Sequence, residues 1–419
     1  MIDPHRFEAD YLLETAQDPR RTAEAIAGEQ SSGTFVPVPG ETPELKQRAA
    51  ARIEALELLA AVDRPSLPGA RASAGDAIRQ ARMTLSWPID NIGPSLPNLM
   101  ATVAGNLFEL NQLSGLRILD IRLPRAFADA YSGPKFGVPG TRDLTGVHER
   151  PLIGTIVKPS VGFGPAETAA LTATLCEAGI DFIKDDELQS DGPGCPFDGR
   201  VRAVMDVINR DADRTGKKVM FAFNLTGDLD QMRRRHDVVL ECGGTCVMAG
   251  INSVGMVGMI ELARHTQLPI HAHRNGWGYL TRHPLLGWSY VAWQKLWRLA
   301  GADHMHVNGL GSKFFEDDES VVASARACLT PMFDDKPCVC LPVFSSGQTV
   351  RQAPGTYAGL GSVDLLVTAG GGIVAHPDGP AAGVAAMRQA YEAAVAGVPL
   401  DQFARDHKPL ARALENRAS

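Results

Sequence analysis

From Pro151 onward the chain repeats one unit: a short apolar run, a polar or glycine-rich loop, then a stretch of helical periodicity. The apolar runs are 152–158, 180–186, 218–225, 246–252, 269–274, 304–307, 339–344 and 364–369. Helical stretches fit between them at 166–178, 198–212, 230–241, 254–265, 288–300, 318–328, 354–360 and 380–396. Eight such units in about 250 residues predict a closed (β/α)8 TIM barrel. An open doubly wound sheet would share the rhythm, but no G-x-G-x-x-G motif opens a first helix.

The preceding residues lack this rhythm. A strand over 7–14, a helix over 18–29, helical periodicity over 43–60 and a strand over 116–123 predict an N-terminal α+β domain spanning 1–132. Prolines at 65 and 68 end the third of these elements. Ser132–Gly140, rich in glycine and proline, reads as a linker into a barrel domain spanning 133–419.

A barrel of this kind carries its chemistry at the C-terminal ends of its strands. Those ends hold Lys158, Lys184 to Glu187, Asn224, His271 with His273 and Arg274, His304 with His306 and Asn308, Ser345 with Gly347, and Gly370 to Gly372 with His376. The second strand is the most telling. Side chains alternate along it, so Lys184 and Asp186 share a face, Asp185 points away, and Glu187 can turn back where the pleat ends. Taken alone, these residues form either an ion-pair knot or a metal site. His271 is expected inside the barrel, Asp185 against a neighbouring loop, and His376 either capping its loop or meeting a ligand.

Composition narrows the partners. A net charge of −7 argues against nucleic-acid binding. No apolar run reaches the roughly 18 residues that span a bilayer, and the N-terminus lacks a signal-peptide layout, so a cytoplasmic protein is expected. Seven cysteines, an odd number without CxxC spacing, fit reduced thiols. Cys338 and Cys340 read as small buried hydrophobes, Trp288, Trp293 and Trp297 as core or interface, and Arg233 to Arg235 as a solvated helix face.

Gly154-Thr-Ile-Val-Lys-Pro159, Gly179-Ile-Asp-Phe-Ile-Lys-Asp-Asp-Glu187, His271-Ala-His-Arg274, Asp303-His-Met-His306, Pro342-Val-Phe-Ser345, Gly370-Gly-Gly372 and His376-Pro377 resemble the large chain of ribulose bisphosphate carboxylase (RuBisCO). Glu29 to Thr34 and Gly105-Asn-Leu-Phe108 extend the likeness into the first domain. The resemblance implies that Lys184 takes up CO2 as a carbamate and binds Mg2+ with Asp186 and Glu187. It implies that His273, Arg274 and His306 hold one phosphate and adjacent substrate oxygens. Gly347, Gly371 and Gly372 would offer backbone N–H groups to a phosphate, Ser345 would bond a hydroxyl, and Lys313 would sit on a mobile loop. Glu29 and Asn106 would reach in from a partner subunit, making a homodimer the working unit.

Departures from the carboxylase point to its non-fixing, RuBisCO-like branch. Lys158-Pro159-Ser160 lacks the second lysine of the family's Lys-Pro-Lys, Ile156 replaces a threonine, Val307-Asn308 replaces Ser-Gly, and Phe35 replaces tryptophan. The branch acts on phosphorylated ketoses through an enediolate. The expected activity is decarboxylation of 3-oxo-isoapionate 4-phosphate or a similar β-keto sugar acid, with Lys158 as proton donor and Lys313 facing the departing carboxylate. A methylthio-ketose phosphate enolase or isomerase, a transcarboxylase/hydrolase on the same sugar acid, and an idle ligand sensor are the alternatives.

Overall fold

The computed structural model describes residues 3–33, 38–72 and 75–416. Phe35 and Thr34 lie outside the described residues. The chain divides into two compact units: the residues up to Ser132 together with Gly276–Leu299, and Gly133–Asn275 together with the residues from Ala300.

The first unit is built on a five-stranded sheet in the order Leu286–Trp288, Gly115–Arg122, Arg6–Thr15, Ile78–Pro88, Arg52–Val62. Strand Arg6–Thr15 buries alternate residues from Phe7 to Leu13, as its apolar alternation requires. Asp18 caps the helix Pro19–Glu29 by accepting the Arg21 N–H at 3.0 Å, and Pro19 sits at its first turn. Helical periodicity over 43–60 is only partly realised. The helix stops at Ala49, and Arg52–Val62 is a strand paired with Ile78–Pro88. Leu, Ala and Glu favour a helix there, but the hydrogen-bond ladder offered by the neighbouring strand overrides that preference. Ile78–Pro88, absent from the sequence expectations, buries Ile78, Ala81, Met83, Leu85 and Trp87. Trp277, Trp293 and Trp297 pack in series as tilted rings, with centroids 4.7 and 5.3 Å apart, and are buried, and Trp288 is buried as well.

The second unit is a closed parallel barrel of eight strands: Leu152–Ile156, Phe182–Lys184, Met220–Asn224, Cys246–Gly250, Ile270–His273, His304–Asn308, Leu341–Phe344 and Leu366–Thr368. All eight fall within the runs read from the sequence, apart from the last residue of the sixth. Leu152, Phe182, Met220, Met248, Leu341, Val343 and Leu366 fill its interior. The expected linker is partly a helix, Gly137–Thr145, whose Val138 joins that interior cluster. Asp303, at the start of the sixth strand, accepts the Phe136 and Gly137 N–H groups at 2.7 and 2.8 Å and ties this helix down. All seven cysteines are free, and Cys338 and Cys340 are buried. Among the described residues no helix is long and apolar enough to cross a membrane.

Candidate active site

The second strand delivers its charges as the pleat dictates. Lys184 and Asp186 are buried on the inner side, while Asp185 points outward and meets Arg200 at 3.1 Å, both at zero side-chain exposure. Asp185 also accepts the Asn224 N–H at 2.9 Å. Its partner is therefore an arginine on helix Phe197–Thr215, not a loop, because an outward residue of a barrel strand faces the helical layer. Asn224 donates to the carbonyls of Glu187 and Gln189 at 3.2 and 3.1 Å, which anchors the loop carrying Glu187.

Around Lys184 the groups converge. Its Nζ donates to the Asp185 carbonyl at 2.7 Å and lies 3.6 Å from Glu187 Oε2. Glu187 Oε2 is also 3.4 Å from His273 Nε2. Lys158, from the first strand's end, donates to Asp186 Oδ2 at 2.7 Å and to Ser160 Oγ at 2.8 Å. Burial pushes the Lys184 ammonium down, against the raising influence of Glu187, Asp186 and Asp185. Burial would raise Asp186, but its bonds from Lys158 and the Leu188 N–H hold it below the usual carboxylate range. Burial likewise opposes Glu187, which His273 in its protonated form and Lys184 nevertheless hold low. His273 itself is pushed down to about 4, chiefly by burial and then by Lys184, so it is a neutral imidazole near pH 7. Two ionised carboxylates beside an amine biased toward its neutral form suit a hard, oxygen-seeking cation once that amine has reacted with CO2. The donor set fits Mg2+.

Beyond this cluster, His306 Nδ1 lies 3.0 Å from Ser345 Oγ, and its Nε2 lies 2.7 Å from His271 Nε2. His271 is fully buried against Phe182, and His304 bonds Thr141 at 2.8 Å deep in the barrel. The loop after the seventh strand turns through Ser346 and Gly347, at φ +72° and +78°. Gly371–Val374 is a short helix after the eighth strand, in which the Ile373 and Val374 N–H groups donate to the Gly370 carbonyl at 3.2 and 2.9 Å. A side chain at Gly372 would put its Cβ 2.3 Å from the Gln348 carbonyl oxygen, so only glycine lets these two loops approach. His376 caps its own loop, accepting the Asp378 N–H at 3.0 Å and bonding the Pro409 carbonyl at 3.0 Å. Lys313 is exposed, with its Nζ 5.4 Å from the Phe314 ring centre. Glu29 and Asn106 belong to the other compact unit.

Two residues behave differently from the sequence expectation. Arg235 is buried, donating to the Leu225 and Thr226 carbonyls at 3.1 and 2.8 Å, so Arg233 to Arg235 is not a uniformly solvated face. Glu316 is the other, a residue with no assigned role in the sequence reading. It accepts from Arg274 at 3.0 Å and Asn308 at 3.1 Å, and an acid three places after Lys313 was its only signal in the sequence. His236, Asp237 and His265 also cluster on the outer helices. There His236 Nε2 accepts the Gln267 N–H at 3.2 Å, so Nδ1 carries the proton toward Asp237 at 2.9 Å and is no metal ligand in that tautomer.

A closed parallel barrel with a lysine, carboxylates and histidines converging at its C-terminal rim is the architecture of a barrel enzyme. Two family models match in order: the ribulose bisphosphate carboxylase large chain N-terminal domain over residues 11–127 and its catalytic domain over 137–416. The chain belongs to the RuBisCO large-chain family. It is 60% identical, over 98% of each chain, to a 3-oxo-isoapionate-4-phosphate transcarboxylase/hydrolase of Xanthobacter autotrophicus. It is 48% identical, over 96% of each, to a 3-oxo-isoapionate-4-phosphate decarboxylase of Rhizobium rhizogenes. The crystal structure of a RuBisCO-like protein from Burkholderia fungorum superposes with a TM-score of 0.92 at 49% identity, covering 98% of this chain and 99% of that one.

Proposed function

We propose that this chain is an enzyme that breaks the bond between the carboxyl group and the adjacent carbon of 3-oxo-isoapionate 4-phosphate, without net fixation of CO2. The observation that carries the reading is full-length identity of 60% and 48% to two proteins named for that one substrate. In a β-keto acid this cleavage leaves the bonding electron pair delocalised onto the ketone oxygen as an enediolate. Mg2+, held by Asp186, Glu187 and the carbamate of Lys184, would supply Lewis-acid stabilisation of that charge.

The chain's own groups do the rest. Neutral His273, with His306 and Ser345, orients the substrate's oxygens. The N–H groups of Gly347, Gly371 and Gly372 take the phosphate. Lys313, on its exposed loop, faces the carboxylate as it leaves. Lys158, held by its hydrogen bonds to Asp186 and Ser160, delivers a proton to the enediolate carbon. Glu29 and Asn106 act from a second copy in a homodimer.

Two fates follow the first cleavage. Protonation by Lys158 releases CO2 and a ketose phosphate, which is decarboxylation. Return of CO2 to a different enediolate carbon, followed by water attack on the neighbouring ketone, splits the skeleton into two acids with no net CO2, which is transcarboxylation and hydrolysis. The relative at 60% identity favours the second fate.

Product analysis with Mg2+ and bicarbonate separates the two: one CO2 per substrate for decarboxylation, two acids and no CO2 for the other. Either turnover should vanish in Lys184→Ala. No turnover of this substrate, together with proton exchange on a methylthio-ketose phosphate, would replace this reading by an enolase or isomerase.

A further inference from the structure

We infer that Glu316 makes this site selective for sugar monophosphates, by filling on Arg274 the place that the second phosphate of a bisphosphate would need. The inference deepens the function proposed above and rests on that reading for where the substrate lies.

Arg274 directly follows the fifth strand, and Glu316 sits on the loop that follows the sixth. Their side chains meet at 3.0 Å with only 9 and 10% exposure. Glu316 Oε2 also accepts from Asn308 Nδ2 at 3.1 Å, and Oε1 accepts from Ser320 Oγ at 2.9 Å. Both carboxylate oxygens are thus engaged, by three partners on three elements: a strand end, the residue closing the next strand, and the first turn of helix Asp318–Leu329. Asn308 holds a left-handed backbone, φ +77°, which asparagine tolerates better than most residues. This is a built contact.

Its consequence is electrostatic. An Arg274 facing solvent would be a ready anion site, since its fork of donors matches a phosphate. Paired with a nearly buried carboxylate, its charge is already answered. A phosphate dianion on the same guanidinium would stand a few ångströms from Glu316 in a poorly hydrated corner, and like charges so placed repel strongly. Neutral hydroxyl oxygens meet no such repulsion and can still receive guanidinium and amide N–H bonds. This end of the site therefore suits the unphosphorylated end of a sugar, and the single phosphate goes to the glycine loops after the seventh and eighth strands. The family's name specifies a bisphosphate, whereas the two similar chains are named for a 4-phosphate. A built-in repulsive element is the economical way to separate the two.

Calorimetry with two unreactive polyols tests this: ribitol 5-phosphate and ribitol 1,5-bisphosphate, each titrated with Mg2+ and bicarbonate present. Wild type should bind the bisphosphate no more tightly than the monophosphate. Glu316→Gln keeps an acceptor toward Asn308 and Ser320 but removes the charge. It should tighten the bisphosphate about tenfold or more while leaving the monophosphate within about threefold. Glu316→Ala should move the ratio the same way. An unchanged ratio in both variants, or a wild type that already prefers the bisphosphate tenfold, overturns the inference. Because binding is read without turnover, failure to convert the sugar acid would count against the proposed reaction and leave this result standing.

Discussion

Lys184→Met distinguishes a metal-and-carbamate lysine from a lysine that merely knots the fold together. The side chain is 1% exposed, so an ammonium there has lost nearly all its hydration. Removing it strands little. Asp186 keeps Lys158 at 2.7 Å, and Glu187, a third exposed, keeps His273 at 3.4 Å. Only the Asp185 carbonyl loses a donor, at 2.7 Å, for a cost of about 1–2 kcal/mol. Replacing a whole buried ion pair by apolar residues of similar volume is neutral or gains roughly 1–4 kcal/mol, and the variant approaches that case because both acids keep partners of their own. The balance runs from a loss of about 2 to a gain of about 3 kcal/mol, a change in Tm within roughly 6 °C.

The pH dependence carries a definite sign. Burial sets the folded pKa of Lys184 below its unfolded value. Between the two, the unfolded chain binds a proton that the native chain does not, so wild-type stability rises with pH there. Methionine has no such contribution, so the variant's stability relative to wild type falls as pH climbs toward about 10.4. Scanning calorimetry across pH reads the stability, and titration of Mg2+ with bicarbonate reads the metal, which the variant should not bind. A loss of more than about 3 kcal/mol, the cost of breaking a needed buried pair, would refute the reasoning and make Lys184 an ion-pair knot.

Asp185→Asn should behave oppositely: it leaves Arg200 charged at zero exposure, and urea unfolding should show a loss of about 3–5 kcal/mol. Gly372→Ala would bring a Cβ to 2.3 Å from the Gln348 carbonyl oxygen; the loops must part, and KM for the phosphorylated substrate should rise about tenfold or more with the fold intact. Burial would raise the Asp181 carboxyl, but Arg150 at 2.6 Å and Lys217 at 2.5 Å hold it below the usual range. Its stabilisation is therefore present above the unfolded value near 3.9 and lost as pH falls through the lower folded one. Asp181→Asn should flatten that part of the acid-unfolding curve.

How much was legible in the sequence follows from which forces are local. Strand and helix periods, and the rule that active groups lie at C-terminal strand ends, placed all eight barrel strands and separated Lys184 and Asp186 from Asp185. These depend only on side-chain alternation along a strand. The His271–His306–Ser345 chain, the Asp185–Arg200 pair and the His376–Pro409 contact depend on which distant elements meet, and no spacing reveals them. Arg52–Val62 marks the same boundary, because its helix-favouring composition yields to a ladder that exists only once Ile78–Pro88 lies beside it. Glu316 marks it most sharply. By itself it is one more acid on a polar loop; closure of the barrel brings it 3.0 Å from Arg274 and turns it into a charge that substrates must accommodate. The sequence alone thus determined the barrel and the grouping of chemistry at its rim, since both are periodic. Only the tertiary structure decided which charges are already answered from within, since that depends on distances between elements remote in the chain.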